Sequence, residues 1–157
     1  MNAPSPFRIV FVCTGNTCRS PLAEALARRE IERRGWGGVE VASAGVAAHP
    51  GAPASGGSQR VGEEAGLDLS QHRARLLDSD MVDRADLVLT MGEHHAFRVM
   101  ELGGEGRVDL LTRFAGAGAE GVPDPFGADD AIYRRTLEVL DRLVGVTFDR
   151  LAPILDP

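Results

Sequence analysis

The chain has 157 residues, 43% of them hydrophobic, and 17 basic against 23 acidic side chains give it a net charge of −6. That size suits one globular domain over residues 1–157 with a core that needs no disulfide staples, and the negative balance argues against nucleic acid or an anionic membrane as the main partner. No apolar run reaches the roughly 18 residues of a membrane span, and Met1-Asn2-Ala3-Pro4-Ser5-Pro6 lacks the basic region and apolar core of a secretory leader, so a soluble, cytoplasmic protein is expected.

Ile9-Val10-Phe11-Val12 reads as a buried parallel strand. The loop Cys13-Thr14-Gly15-Asn16-Thr17-Cys18-Arg19-Ser20 follows, and Pro21 opens a helix that runs to Arg34 and stops at Gly35. Val39 to Ser43 is a second strand, which makes the opening a right-handed βαβ unit with its chemistry at the carboxyl edge of the first strand. Residues 44–58 are rich in Gly, Ala, Pro and Ser and suit a loop that shapes the rim of a site. A helix is expected from Gln59 to Ala65, and Leu67 to His72 leads into a polar helical stretch. Ala85 to Met91 reads as a third strand, Gly92 as a turn, Glu93 to Leu102 as a helix and Val108 to Leu111 as a fourth strand. The loop from Ala115 to Val122 delivers Asp124-Pro125-Phe126-Gly127, and an amphipathic helix covers Asp129 to about Leu151. There is no internal repeat and no low-complexity tract.

The strand–loop–helix opening carries the chemistry. Loop amides converge where the positive end of the helix points, so a tetrahedral oxyanion would meet backbone N–H groups, the helix dipole and the planar fork of Arg19 together. The same field favours thiolate over thiol at Cys13 and supplies a nucleophile at neutral pH. Both cysteines of the chain, Cys13 and Cys18, lie in this one loop, which reads as reactive thiols rather than a disulfide scaffold.

The sequence CTGNTCRSPLAEA, together with Ser43-Ala44-Gly45, His72-Arg73-Ala74-Arg75, the Ala85 to Met91 strand and Asp124-Pro125, resembles the low-molecular-weight protein tyrosine phosphatase family over almost the whole chain. The resemblance implies a three-layer α/β/α fold with a four-stranded parallel sheet in flavodoxin-like topology. It implies hydrolysis of phosphorylated protein side chains through a phosphocysteine intermediate, with no metal and no cofactor. Cys13 would be the nucleophile, Arg19 the phosphate clamp and Asp124 the general acid and then base, while Thr14, Gly15, Asn16, Thr17, Cys18, Arg19 and Ser20 hold the phosphate or a similar oxyanion. Asn16, Ser20, Ser43 and His72 occupy the places of a polar network that braces the loop. For Asn16 the plainer reading is a left-handed turn residue, and for His72 a helix cap or an exposed side chain. Cys18 matches the family's second loop cysteine, which captures oxidised Cys13 as a disulfide; the plainer reading is a small buried thiol that never reacts.

Departures from the tyrosine-directed pattern bear on the substrate. Thr17 stands where an apolar residue is common, the rim reads Gly45-Val46-Ala47-Ala48-His49, and Pro125-Phe126-Gly127 lacks the paired tyrosines often found after the acid. This combination looks like the protein arginine phosphatase branch of the family, with Thr17, Phe126 and His49 as selectivity residues. Phosphotyrosine is the alternative substrate.

An arsenate reductase shares the fold and loop, but its thiol relay needs cysteines away from the loop. A zinc site would draw on His49, His72, His94 and His95, against which stands the tight phosphate-type turn; His94 and His95 read more simply as solvated polar side chains at a helix start. A non-catalytic phosphate sensor is the remaining alternative, against which stands the presence of all three catalytic residue types.

Overall fold

Along β1 (Phe7–Cys13) the side chains alternate between two apolar environments, and that alternation builds the layers. Ile9, Phe11 and Cys13 enter one cluster with Leu22, Leu26, Val61, Leu111, Leu140 and Phe148, whereas Val10 and Val12 enter a second with Val82, Val88 and Val99. The computed structural model describes residues 5–156, so residues 1–4, part of the reading of the N-terminus, lie outside it. Its elements are β1, α1 (Arg19–Arg34), β2 (Val39–Gly45), α2 (Gly56–Glu64), α3 (Ser79–Arg84), β3 (Leu87–Thr90), α4 (Glu93–Val99), β4 (Val108–Leu110), α5 (Leu111–Phe114) and α6 (Asp130–Leu155). A π-helical turn, Met100–Gly104, ends α4 with Gly103 at φ 97°.

The four strands are parallel in the order β2-β1-β3-β4. Helices α1, α2, α5 and α6 contribute to the first cluster and α3 and α4 to the second, which gives an α/β/α sandwich. Strand order reverses at β1, so the loops leaving β1 and β3 part above it and open a crevice at the carboxyl edge. No helix of the described residues is long and apolar enough to cross a membrane.

Several boundaries differ from the sequence reading. Helix α1 begins at Arg19 rather than Pro21, with Pro21 in a first turn whose N–H groups have no intrahelical acceptor anyway. Helix α2 starts at Gly56, because Ser55 caps it through Ser58 N (3.3 Å) and Gly57 lies so close to Tyr133 that a Cβ there would sit 2.5 Å from the ring. The stretch after His72 is not helical. Its backbone is engaged elsewhere, since Gly45 N donates to Arg75 O (2.9 Å) and Leu77 N to Gly45 O (2.9 Å), and the helix waits for the Asp78 cap of α3. Strand β3 is shorter than Ala85 to Met91, although Asp86 N and Met91 N still reach Arg8 O and Val12 O of β1. Leu111 belongs to α5 rather than β4, α4 gives way to the π turn before Leu102, and α6 continues to Leu155 with Pro153 in its last turns.

Gly45, at the end of β2, lies against the loop after β1. A Cβ at this position would sit 2.5 Å from Thr14 O and 2.8 Å from Asn16 N, both backbone atoms that cannot swing aside. Gly45→Ala is therefore expected to lower unfolding free energy by about 1–3 kcal/mol and to depress turnover further by shifting the loop. Denaturant midpoints and p-nitrophenyl phosphate turnover check this; an unchanged variant in both would contradict it.

Candidate active site

The turn between β1 and α1 exists because Asn16 takes a left-handed conformation, φ 55°, which asparagine tolerates better than most residues. Asn16 is fully buried, and its side-chain amide is used on both ends. Its Oδ1 accepts from Arg75 N (2.9 Å), and its Nδ2 donates to Ser20 Oγ (2.8 Å) and Ser43 Oγ (2.9 Å). Its backbone carbonyl meets His72 Nε2 at 2.7 Å. The turn residue and the network residue are thus one side chain.

Because Asn16 donates to both serines, each serine hydrogen is free for another acceptor. Ser43 donates to Glu24 Oε1 (2.7 Å), and Ser20 Oγ lies 2.9 Å from Cys13 Sγ, where its hydrogen can point at sulfur. Glu24 also receives Arg28 (2.7 Å), so the chain of hydrogen bonds runs from an ion pair on α1 to the buried sulfur. A sulfur anion at Cys13 would be steadied by that donor.

Among the described residues, the N–H groups of Thr14, Gly15, Asn16, Thr17 and Cys18 have no backbone carbonyl partner. Helix α1 starts from the same loop with no side-chain cap and no acid in its first turn, which leaves its positive end available to an anion. Arg19 is 5% exposed. Its Nη1 donates to Val122 O (2.8 Å), Nη2 stands 3.6 Å from Asp124 Oδ2, and buried Nε has no partner among the described residues. The Nε–Nη2 edge is therefore without a backbone acceptor, and its two parallel N–H groups match the spacing of two oxygens of an oxyanion. Asp124 is held in a turn by Phe126 N, which donates to Oδ1 (3.0 Å).

These residues meet in a cleft of about 330 Å³ lined by Cys13, Thr14, Thr17, Arg19, Asp124 and Phe126, with Ala47, His49 and Ala52 on the rim. Phe126 is 75% exposed. Ser43 and His72 lie behind the loop and do not line this cleft. Cys18 is buried, with Sγ donating to Ser55 Oγ (3.3 Å) and close to Tyr133 OH (3.3 Å), while Thr17 O accepts from Ser55 N (2.8 Å).

Two contributors were not visible in the residue pattern, Glu24 and His95. For Glu24 a signal existed, since it follows Ser20 by one helical turn on α1. The reading of His94 and His95 as solvated needs correction: His94 is exposed, but His95 is fully buried and its Nε2 lies 2.9 Å from Thr14 Oγ1. The third position of α4 turns inward under the loop, which an adjacent pair of histidines does not reveal. Gly121 and Val122 stack on the same platform: Val122 N donates to Met91 O (2.8 Å), and a Cβ on Gly121 would sit 2.4 Å from that oxygen.

Burial, with the charges of His94 and Arg19 adding to it, lowers the pKa of His95 to about 3. The folded state therefore holds it neutral where an unfolded histidine, titrating near 6.5, binds a proton. Stability from this source is complete above pH ~6.5 and falls as pH drops toward ~3, by at most about 1.4 kcal/mol per pH unit. His95→Gln should flatten the pH dependence of unfolding free energy between pH ~6.5 and ~4 relative to wild type. Parallel curves in denaturant titrations would contradict the burial of a neutral imidazole.

Comparison with known proteins agrees with this geometry. The family described as low molecular weight phosphotyrosine protein phosphatase matches residues 8–153. A protein-arginine-phosphatase from Geobacillus stearothermophilus is 39% identical over 94% of this chain and 95% of its own length. The low molecular weight protein-tyrosine-phosphatase PtpB of Staphylococcus haemolyticus is 35% identical over 88% and 95%. Among solved structures, the YwlE arginine phosphatase in a variant with a phosphorylated active-site serine superposes with a TM-score of 0.87 at 35% identity, covering 92% of this chain and 95% of that one. A βαβ opening with unpaired loop amides, an arginine and an Asp-Pro brought to the same cleft, and a match over nearly the full length agree: the chain belongs to the low molecular weight phosphotyrosine protein phosphatase family.

Proposed function

We propose that this protein is a cysteine-dependent protein phosphatase that prefers phosphoarginine, working through a phosphocysteine. Cys13 Sγ attacks phosphorus in line, and the S–P bond forms as the bond to the side-chain nitrogen breaks. The loop amides and the Nε–Nη2 edge of Arg19 take up the charge that spreads over the equatorial oxygens. Asp124, as the acid, gives its proton to the departing guanidine nitrogen. As the carboxylate it then takes a proton from the water that attacks the phosphocysteine, and inorganic phosphate and the Cys13 thiolate are released.

The observation that carries the substrate preference is the wall of the cleft. Thr17 lines it opposite small rim residues, and the chain's single tyrosine and single tryptophan are committed elsewhere. Tyr133 is 4% exposed beneath Cys18, and Trp36 stacks on Phe148 with ring centres 5.6 Å apart. A phenyl ring would find only Phe126, whereas a planar guanidinium can use the Thr17 hydroxyl and the Asp124 carboxylate. The arginine-phosphatase name of the 39% identical relative supports the same reading. Phosphotyrosine is the second reading, carried by Phe126, whose exposed ring could stack on a substrate ring for about 0.5–1.5 kcal/mol.

This assignment also gives Cys18 a use. Peroxide would oxidise Cys13 to a sulfenic acid, which condenses with the Cys18 thiol to a disulfide and loses water. Phosphorylated proteins would be its substrates, and a single domain over residues 1–157 would suffice for the reaction.

Kinetics on phosphoarginine and phosphotyrosine peptides of matched sequence test the preference. The wild type is expected to favour phosphoarginine in kcat/KM, and Thr17→Ile to move the ratio toward phosphotyrosine by about tenfold, the scale of one buried hydrogen-bond mismatch. A ratio indifferent to the substitution would remove Thr17 from selection.

A further inference from the structure

The contact between α4 and the anion loop is not explained by the roles assigned so far. His95 is fully buried, reaches Thr14 Oγ1 with Nε2 (2.9 Å), and leaves Nδ1 buried with no partner among the described residues. Two tautomers are possible for a neutral ring, and they have opposite consequences for Thr14. With the proton on Nδ1, a buried N–H is orphaned and Nε2 must accept the Thr14 hydrogen. With the proton on Nε2, the orphan is only a lone pair, and Nε2–H donates to Thr14 Oγ1. Orphaned buried donors are the rarer and costlier of the two, which favours the proton on Nε2.

Once Oγ1 accepts from His95, the Thr14 hydrogen needs an acceptor, and among the described residues no other protein group bonds to that oxygen. Thr14 lines the cleft beside Cys13 and Arg19. We propose that the Thr14 hydroxyl is a further donor to the phosphoryl group, and that His95 is the positioning residue that frees its hydrogen for this contact. This rests on the phosphatase reading and adds to it a side-chain donor beyond the loop amides and Arg19. The His94 ring lies against the His95 ring with centroids 3.8 Å apart, and Thr90 Oγ1 donates to Gly92 O (3.0 Å) in the turn that launches α4.

The test combines nitrogen NMR of the wild-type protein with a double-mutant cycle. At pH 7 the His95 ring is expected to show Nε2 protonated and Nδ1 bare; the reverse tautomer would overturn the proposal. Thr14→Val keeps the shape of the side chain and should weaken competitive inhibition by inorganic phosphate and lower kcat on p-nitrophenyl phosphate by about tenfold each, the scale of a lost hydrogen bond to a charged group. His95→Leu, which removes the ring donor, should reduce both in the wild-type background and neither further in Thr14→Val, because its effect passes through that hydroxyl. Independent, multiplying losses, or a Thr14→Val protein with wild-type phosphate affinity, would refute it. If the wild type itself neither hydrolyses p-nitrophenyl phosphate nor binds phosphate, the phosphatase reading fails instead. Should His95→Leu not fold, the tautomer and Thr14→Val still decide the matter.

Discussion

A single buried asparagine sets the direction of the Ser20 and Ser43 hydrogen bonds behind Cys13. Asn16 takes the left-handed turn that folds the loop back, and because Arg75 N holds its Oδ1, its Nδ2 can only donate. Ser20 and Ser43 become acceptors toward it, which sends the Ser43 hydrogen to Glu24 and leaves the Ser20 hydrogen for the sulfur of Cys13. Fully buried polar groups are stable only when such a set is complete, so the loop keeps its shape before any substrate arrives. Under the proposed function such preorganised donors, rather than movement on binding, would supply the transition-state stabilisation.

Two arms attach to this core from opposite sides of the β1 crevice. The segment after His72 supports the loop from behind through Arg75 N and the His72 ring. The end of β3 supports it from the other side through two routes, His95 to Thr14 and Met91 to Val122 to Arg19. Through the second route, the segment that carries Asp124 also holds the guanidinium 3.6 Å from its carboxylate. Arg19 and Asp124 are therefore registered to each other by the backbone of one loop.

Much of this could be read from residues in order. A run of β-branched and aromatic residues, a loop with its two cysteines and arginine, and a helix closed by Gly35 at φ 70° are local signals, and local signals survive translation into structure. The parts that were not legible depend on atoms far apart in the chain. The glycines of α2 look like loop until the Tyr133 ring is seen against Gly57, and the stretch after His72 looks helical until its backbone is found bonded to Gly45 and Asn16. Nor does His95 look different from His94; only its position on the inner face of α4 makes it a buried, neutral partner of Thr14. Glu24 is a similar case, an ordinary helix glutamate until Ser43 is brought to it by the pairing of β1 with β2.

The most direct measurement is rapid acid quench of the enzyme during turnover of a phosphorylated substrate, followed by mass analysis of the peptide containing Cys13. A phosphoryl group on Cys13 that forms and decays at rates consistent with turnover is expected. Steady turnover with no phosphoryl adduct at Cys13 on any quench time would contradict it.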